Sequence, residues 1–154
     1  MLKEVLTELI GHAIVASGRA IKVFNLEMYS QHGFEITPEQ YLVLNMIKDD
    51  ENLSQNRLCE LLYKDKSNMA RLISVLEEKG LVEKTPQQDN KKPLNIIKIT
   101  QKGRELRKKI TPLMNESRKN YLKDISQDEM YCCIKVLTKI QENLKKEEND
   151  KKQK

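Results

Sequence analysis

Ser67, Asn68, Arg71 and Ser74 form a short run of small polar side chains around one forked cation. Such a set suits the edges of bases in a DNA major groove, where Arg pairs bidentately with guanine and Asn with adenine. The reading requires a helix, and a wheel at 100° per residue supplies one over 66–79. Met69, Leu72, Ile73 and Leu76 fall within about 50° of one direction, a face to bury. Ser67, Arg71, Ser74 and Glu78 lie opposite, with Asn68 on one flank. Glu77 and Glu78 sit at the far end, where a recognition helix leaves the groove, so they do not oppose phosphate at its entry. Plainer roles exist for each residue: a solvated helix position for Arg71, and help in capping for Ser67 and Asn68.

The rest of the chain must position that helix. Residues 2–31 read as one long helix, with Val5, Leu6, Leu9, Ile10, Ala13, Ile14, Ile21, Phe24 and Met28 at helical spacing. Gly11 and Gly18 inside it imply close packing against another helix. Thr37-Pro38-Glu39-Gln40 is a capping box with Pro in the first turn, opening a helix that runs toward Asp49-Asp50. Ser54 caps a short helix over 54–62, and Asp65 caps the next, which stops at Gly80. The period then changes to alternation in residues 81–85 and 95–99, with Pro86, Asp89, Asn90 and Pro93 between them. This predicts a two-stranded ribbon with a long, lysine-tipped loop. Thr100 caps a helix that Pro112 should kink or interrupt. Ser126-Gln127-Asp128-Glu129 starts a last helix, striped by Met130, Cys133, Ile134, Leu137, Ile140 and Leu144. A helix, a short turn, a second helix and a β-ribbon in immediate succession make a winged helix-turn-helix. The expected fold class is therefore mainly α with a small β-wing.

Charge distribution agrees with that placement. The 154 residues carry a formal net charge of +5. Residues 1–53 hold 4 Lys+Arg against 8 Asp+Glu, residues 54–104 hold 11 against 6, and residues 105–154 hold 13 against 9. The basic block contains the helix pair and the ribbon, as a phosphate-binding lobe would. No apolar run approaches the roughly 18–20 residues of a membrane span. Glu4, Glu8 and His12 interrupt any signal-peptide core. Cys59, Cys132 and Cys133 make no disulfide framework, so a cytoplasmic setting is expected. A redox role for Cys59 or Cys132 would need a lowered thiol pKa. With two histidines, no Gly-rich phosphate loop, no nucleophile elbow and no metal-ligand spacing, the chain is expected to be neither an enzyme nor a holder of cofactor or metal.

Five segments, in order and spacing, resemble the MarR family of bacterial winged-helix transcription regulators. They are Thr37-Pro38-Glu39-Gln40, Leu53-Ser54-Gln55, Asp65-Lys66-Ser67-Asn68-Met69-Ala70-Arg71-Leu72, Leu76-Glu77-Glu78-Lys79-Gly80-Leu81-Val82 and Ile99-Thr100-Gln101-Lys102-Gly103. The resemblance is closest over residues 37–110. It implies a homodimer bound to an inverted-repeat operator in double-stranded DNA. It also implies repression relieved by a small aromatic or anionic effector whose binding residues are not identified. The dimer would be built from 1–35 and 101–146, with 36–100 as the DNA-binding lobe and 147–154 as a charged, disordered tail.

Carried onto matching positions, the resemblance places recognition-helix contacts on Lys66, Ser67, Asn68, Arg71 and Ser74, and phosphate contacts on Ser54, Gln55 and Asn56. The wing departs from the family pattern of Asp-x-Arg at its tip. Here Asp89-Asn90-Lys91-Lys92-Pro93 lacks the Arg, and the loop reads as two residues longer. Lys91 or Lys92 would substitute, giving a contact closer to phosphate binding than to minor-groove readout, although both suit a soluble loop tip as well. The alternative is a winged-helix module that docks a protein. The polar set around Arg71 speaks against it, because protein-binding faces gather aromatics.

Overall fold

The computed structural model describes residues 2–47, 53–89 and 92–152. Its elements are α1 (Leu2–Gln31), α2 (Pro38–Met46), β1 (Leu53–Ser54), α3 (Gln55–Leu62), α4 (Lys66–Glu78), β2 (Val82–Asp89), β3 (Lys92–Ile99), α5 (Gln101–Tyr121) and α6 (Gln127–Lys152). The chain divides into two units, Met1–Ser117 and Arg118–Lys154.

In the first unit local chemistry sets the helix starts. The Thr37 hydroxyl accepts the Gln40 N–H at 3.2 Å, and the Gln40 side chain accepts the Thr37 N–H at 2.9 Å. These reciprocal bonds satisfy two donors that a helix N-terminus leaves open. Between α3 and α4 the chain turns through Tyr63, held in the left-handed region at φ 49°. Tyr41, Val43, Leu44 and Ile47 from α2 and its end meet Leu58, the apolar face of α4, and Val82, Ile97 and Ile99 from the sheet. Ile110 and Met114 of α5 and Tyr29 of α1 close this core.

Three further contacts bind the long helices to it. The Thr111 hydroxyl donates to Arg107 O at 2.7 Å, so in the 3.0 Å contact with Tyr41 the phenol is the donor. Arg107 donates to Ile47 O at 2.6 Å, tying the same turn of α5 to the far end of α2. The buried Ser117 hydroxyl donates to Asn25 Oδ1 at 3.0 Å, which joins α5 to α1. A satisfied buried pair of this kind fixes register, because losing either partner strands the other.

The sheet is antiparallel with order β1-β3-β2. It corrects the expected wing in two respects. Leu53–Ser54 is a strand that pairs with Ile97 and Ile96, where the sequence suggests only a helix start. The ribbon also continues past residue 85 to the pair Asp89↔Lys92, so only residues 90 and 91 separate the strands. The additional residues lengthen the strands rather than the loop. Prolines tolerate this because of ladder phase. The Lys84 N–H points away from β3 and donates to Glu77 Oε1 at 3.3 Å, so even-numbered residues of β2 face outward. Pro86 falls on that phase, and Pro93, opposite Gln88, occupies the matching phase on β3. Neither missing N–H is one that the β2–β3 ladder needs.

α5 likewise runs unbroken through Pro112. Pro112 lies on an exposed position, where the helical bond lost to the missing N–H costs least. A methyl group placed on Gly11 or Gly18 would meet no chain atom within 4 Å, so the close packing expected of them is not made within one chain. In the second unit, Ser126 and Glu129 form the expected reciprocal cap, and hydrogen bonds from Ser126 hold the Glu129 carboxyl below the usual range. α6 continues to Lys152, so residues 147–152 of the segment 147–154 that the sequence suggests is a disordered tail are helical, and residues 153–154 lie outside the described residues.

Among the glycines, Gly103 makes the closest approach to the rest of the chain. A Cβ there would collide with Leu81 O and lie 2.8 Å from Ile99 Cγ1. Gly103→Ala is expected to destabilise the protein by about 1–3 kcal/mol, the cost of overpacking, in spite of alanine's better helix propensity. Urea denaturation checks this; an unchanged or raised midpoint contradicts the packing described.

Candidate nucleic-acid interface

α4 is built from two faces. Met69, Leu72, Ile73 and Leu76 are 0%, 6%, 1% and 0% exposed. Lys66, Ser67, Asn68 and Arg71 on its first two turns are exposed, and Ser74 is half-buried. Asp65 is the N-cap: its carboxylate accepts the Asn68 N–H at 2.8 Å. That backbone bond, followed by a side-chain bond from Asn68, holds the Asp65 carboxyl below its ordinary range. Arg71 donates to Asn68 Oδ1 at 3.4 Å, so the two residues suited to base recognition lean on one another. Arg71 is exposed, and its planar guanidinium carries further donors in the fork shape that meets guanine.

α3 presents its own N-terminus. Ser54 is its N-cap, half-buried, with its oxygen accepting the Arg57 N–H at 3.1 Å. The hydroxyl proton is still available to a phosphate oxygen. Gln55 is half-buried and Asn56 exposed. Arg57, which no sequence motif singles out, stands exposed beside Asn56, 2.8 Å from Glu60. An exposed pair of this kind contributes little and yields readily to a phosphate. Its one available signal is position, three residues after a cap. Lys91 lies outside the described residues. Lys92 begins β3, and its side chain lies outside them too.

Two further carboxylates, Glu77 and Glu39, are engaged by lysines. Glu77 accepts the Lys84 N–H and lies 3.8 Å from Lys84 Nζ, which ties the end of α4 to β2. Glu39 lies 3.7 Å from Lys22 and 3.6 Å from Lys64, linking α1, α2 and the turn before α4. Burial pushes the Cys59 thiol up, the opposite of the lowered value that a redox role would need. Cys132 and Cys133 are exposed on α6. Among the described residues no cluster of three His, Cys, Asp or Glu could hold a metal, and no helix is long and apolar enough to cross a membrane.

A capped helix pair backed by a third helix and followed by a paired ribbon defines a winged helix-turn-helix protein. Residues 34–92 match the model of the MarR family. The chain is 28% identical over 117 residues to the uncharacterized HTH-type transcriptional regulator YybA of Bacillus subtilis, covering 73% of this chain and 75% of that one. The crystal structure of the transcriptional regulator SlyA superposes with a TM-score of 0.76 at 25% identity, over 90% of this chain and 95% of SlyA. The S. aureus MepR–DNA complex shares the fold, with a TM-score of 0.73 at 21% identity over 86% of this chain and 96% of MepR. Over residues 34–92 the chain resembles the MarR family, and over most of its length it is similar to HTH-type transcription regulators. The relatives it matches are named as HTH-type transcriptional regulators.

The Asp65 cap carries a pH prediction. A carboxyl depressed in the folded state contributes its stability fully above the ordinary Asp value, near 3.9, and loses it as pH falls through the folded value. Asp65→Ala should therefore lower the thermal midpoint at pH 7, and its difference from wild type should shrink as pH drops below that ordinary value. A difference independent of pH contradicts the cap.

Proposed function

We propose that the chain acts in the cytoplasm as a homodimeric repressor. It sets one α4 helix into each half of an inverted-repeat operator and releases the DNA when a small aromatic or anionic effector binds. The carrying observation is the outward Ser67–Asn68–Arg71 set on a helix whose other face is core. Ser54, Gln55 and Asn56 then grip phosphate at the start of α3, and Lys66 does so at the start of α4. Lys91 and Lys92 follow the backbone from the wing. Their point charges anchor without reading sequence.

Dimerisation is supported by the apolar face of α1. Val5, Leu6, Leu9 and Ile10 are 49%, 50%, 57% and 48% exposed, whereas Asn25 and Tyr29 at the other end of the helix are buried. On α6, Ile134 and Leu144 are likewise exposed, at 63% and 56%. Exposed apolar residues repeated along one helix mark an interface, and a second copy of the chain is the partner that closes it symmetrically.

Selection from random DNA should return an inverted repeat whose half-sites lie about one helical turn apart, roughly 34–36 Å. Arg71→Ala should cost about 1–3 kcal/mol at one base position per half-site. Lys91→Ala or Lys92→Ala should weaken all sequences alike and reduce the salt slope by about one unit per half-site. Enrichment of no sequence, or equal loss of specificity from both kinds of change, contradicts the assignment. Leu6→Asp with Leu9→Asp should convert a dimer to a monomer in sedimentation equilibrium; a dimer that persists removes α1 from the interface.

A further inference from the structure

Asp65, Asn68 and Arg71 follow one another at intervals of three residues from the N-cap of α4, and all are exposed. Residues at this spacing are neighbours on a helix surface. Their side chains join in a row. The Asn68 side chain bonds the Asp65 carboxylate, and Arg71 Nη2 donates to Asn68 Oδ1 at 3.4 Å. Chemistry fixes the amide between them. An ionised carboxylate only accepts and a guanidinium only donates, so the NH2 of Asn68 faces Asp65 and its oxygen faces Arg71. The base of the row is firm, because Asp65 Oδ1 also accepts the Asn68 backbone N–H at 2.8 Å as the helix cap.

This arrangement is at odds with Asn68 as a reader of adenine. A bidentate pair with adenine needs the amide oxygen to accept from N6 and the NH2 to donate to N7. Here both ends of the amide are already engaged along the helix. Arg71, by contrast, has N–H donors beyond the one given to Asn68, and guanine O6 and N7 both accept. We propose that Asn68 is a positioning residue: it passes the fixed place of Asp65 on to the Arg71 guanidinium, and Arg71 alone reads guanine. Burial of the opposite face puts Arg71 on the outside of α4, and the row limits where its guanidinium points. A side chain already held in its docked direction loses less rotamer freedom on binding. That gain goes to the base whose two acceptors lie in that direction. The reading of guanine rests on the DNA-binding function proposed above, whereas the row belongs to the free chain.

The free, full-length chain tests the row by itself. The heteronuclear NOE of the Arg71 Nε–H, which reports the order of that side chain, should fall in Asn68→Ala. Asn68 is exposed and alanine is the better helix former, so the variant keeps its fold. An unchanged NOE overturns the proposal.

On the operator recovered by selection, competition among single-base variants then tests the reading. Arg71→Ala should lower the preference for one guanine per half-site by about fivefold to a hundredfold. Asn68→Ala should lower it at the same base pair by about threefold to tenfold, the scale of one hydrogen bond. The double variant should match Arg71→Ala alone, since the two residues act as a unit. A loss at a different base pair, adding to that of Arg71→Ala, overturns the proposal and makes Asn68 a reader in its own right, while the DNA assignment stands. Enrichment of no sequence overturns the reading of guanine together with that assignment, and the NOE then decides the row alone.

Discussion

Burial of one face of α4 is the constraint on which the rest depends. Met69, Leu72, Ile73 and Leu76 are each almost fully enclosed. Burying side chains of this size is worth about 1.5–3 kcal/mol apiece, enough to fix the rotation of the helix about its own axis. Once that rotation is set, helical geometry alone puts Ser67, Asn68 and Arg71 on the outside. No interaction of the polar residues with the protein is needed to aim them. The contact between Arg71 and Asn68 only narrows the directions the guanidinium samples.

Orientation of the helix as a body is a separate matter, and the joint after it supplies that. The Thr100 hydroxyl accepts the Gly103 N–H at 3.0 Å and donates to Gly80 O at 2.7 Å, while Thr100 N–H bonds Leu81 O. Gly80, at φ 69°, makes the left-handed turn that ends α4. Gly103 lets α5 lie directly on the Leu81 carbonyl. Glu77 holds β2 from the other side through the Lys84 N–H. α4, the β2–β3 ribbon and the start of α5 therefore form one linked body, and Arg107 and Tyr41 connect it to α2. Whatever changes this joint changes the angle at which α4 is presented.

Local chemistry is the legible part of the sequence. The caps at Thr37, Ser54, Asp65 and Ser126 involve partners three residues away, and each forms as its spacing implies. The two faces of α4 are equally readable, since period and residue type agree. Wing length is not. Pro86 and Pro93 read as loop because only strand register reveals that both avoid the ladder's donors. β1 is two residues long and exists only because β3 lies beside it. Ser117 and Asn25 are 92 residues apart, with nothing in either segment to announce the pair. Arg57 looks like an ordinary solvated helix residue until its place beside the α3 N-terminus is known.

The central claim is that the polar face of α4 reads DNA through the major groove, twice, in a symmetric complex. Methylation interference at guanine N7 tests it most directly, because N7 lines the major groove alone. On the site recovered by selection, the account predicts two clusters of interfering guanines on one face of the duplex, about 10–10.5 base pairs apart between centres. Binding that is indifferent to N7 methylation, or that shows a single unrepeated cluster, would contradict it.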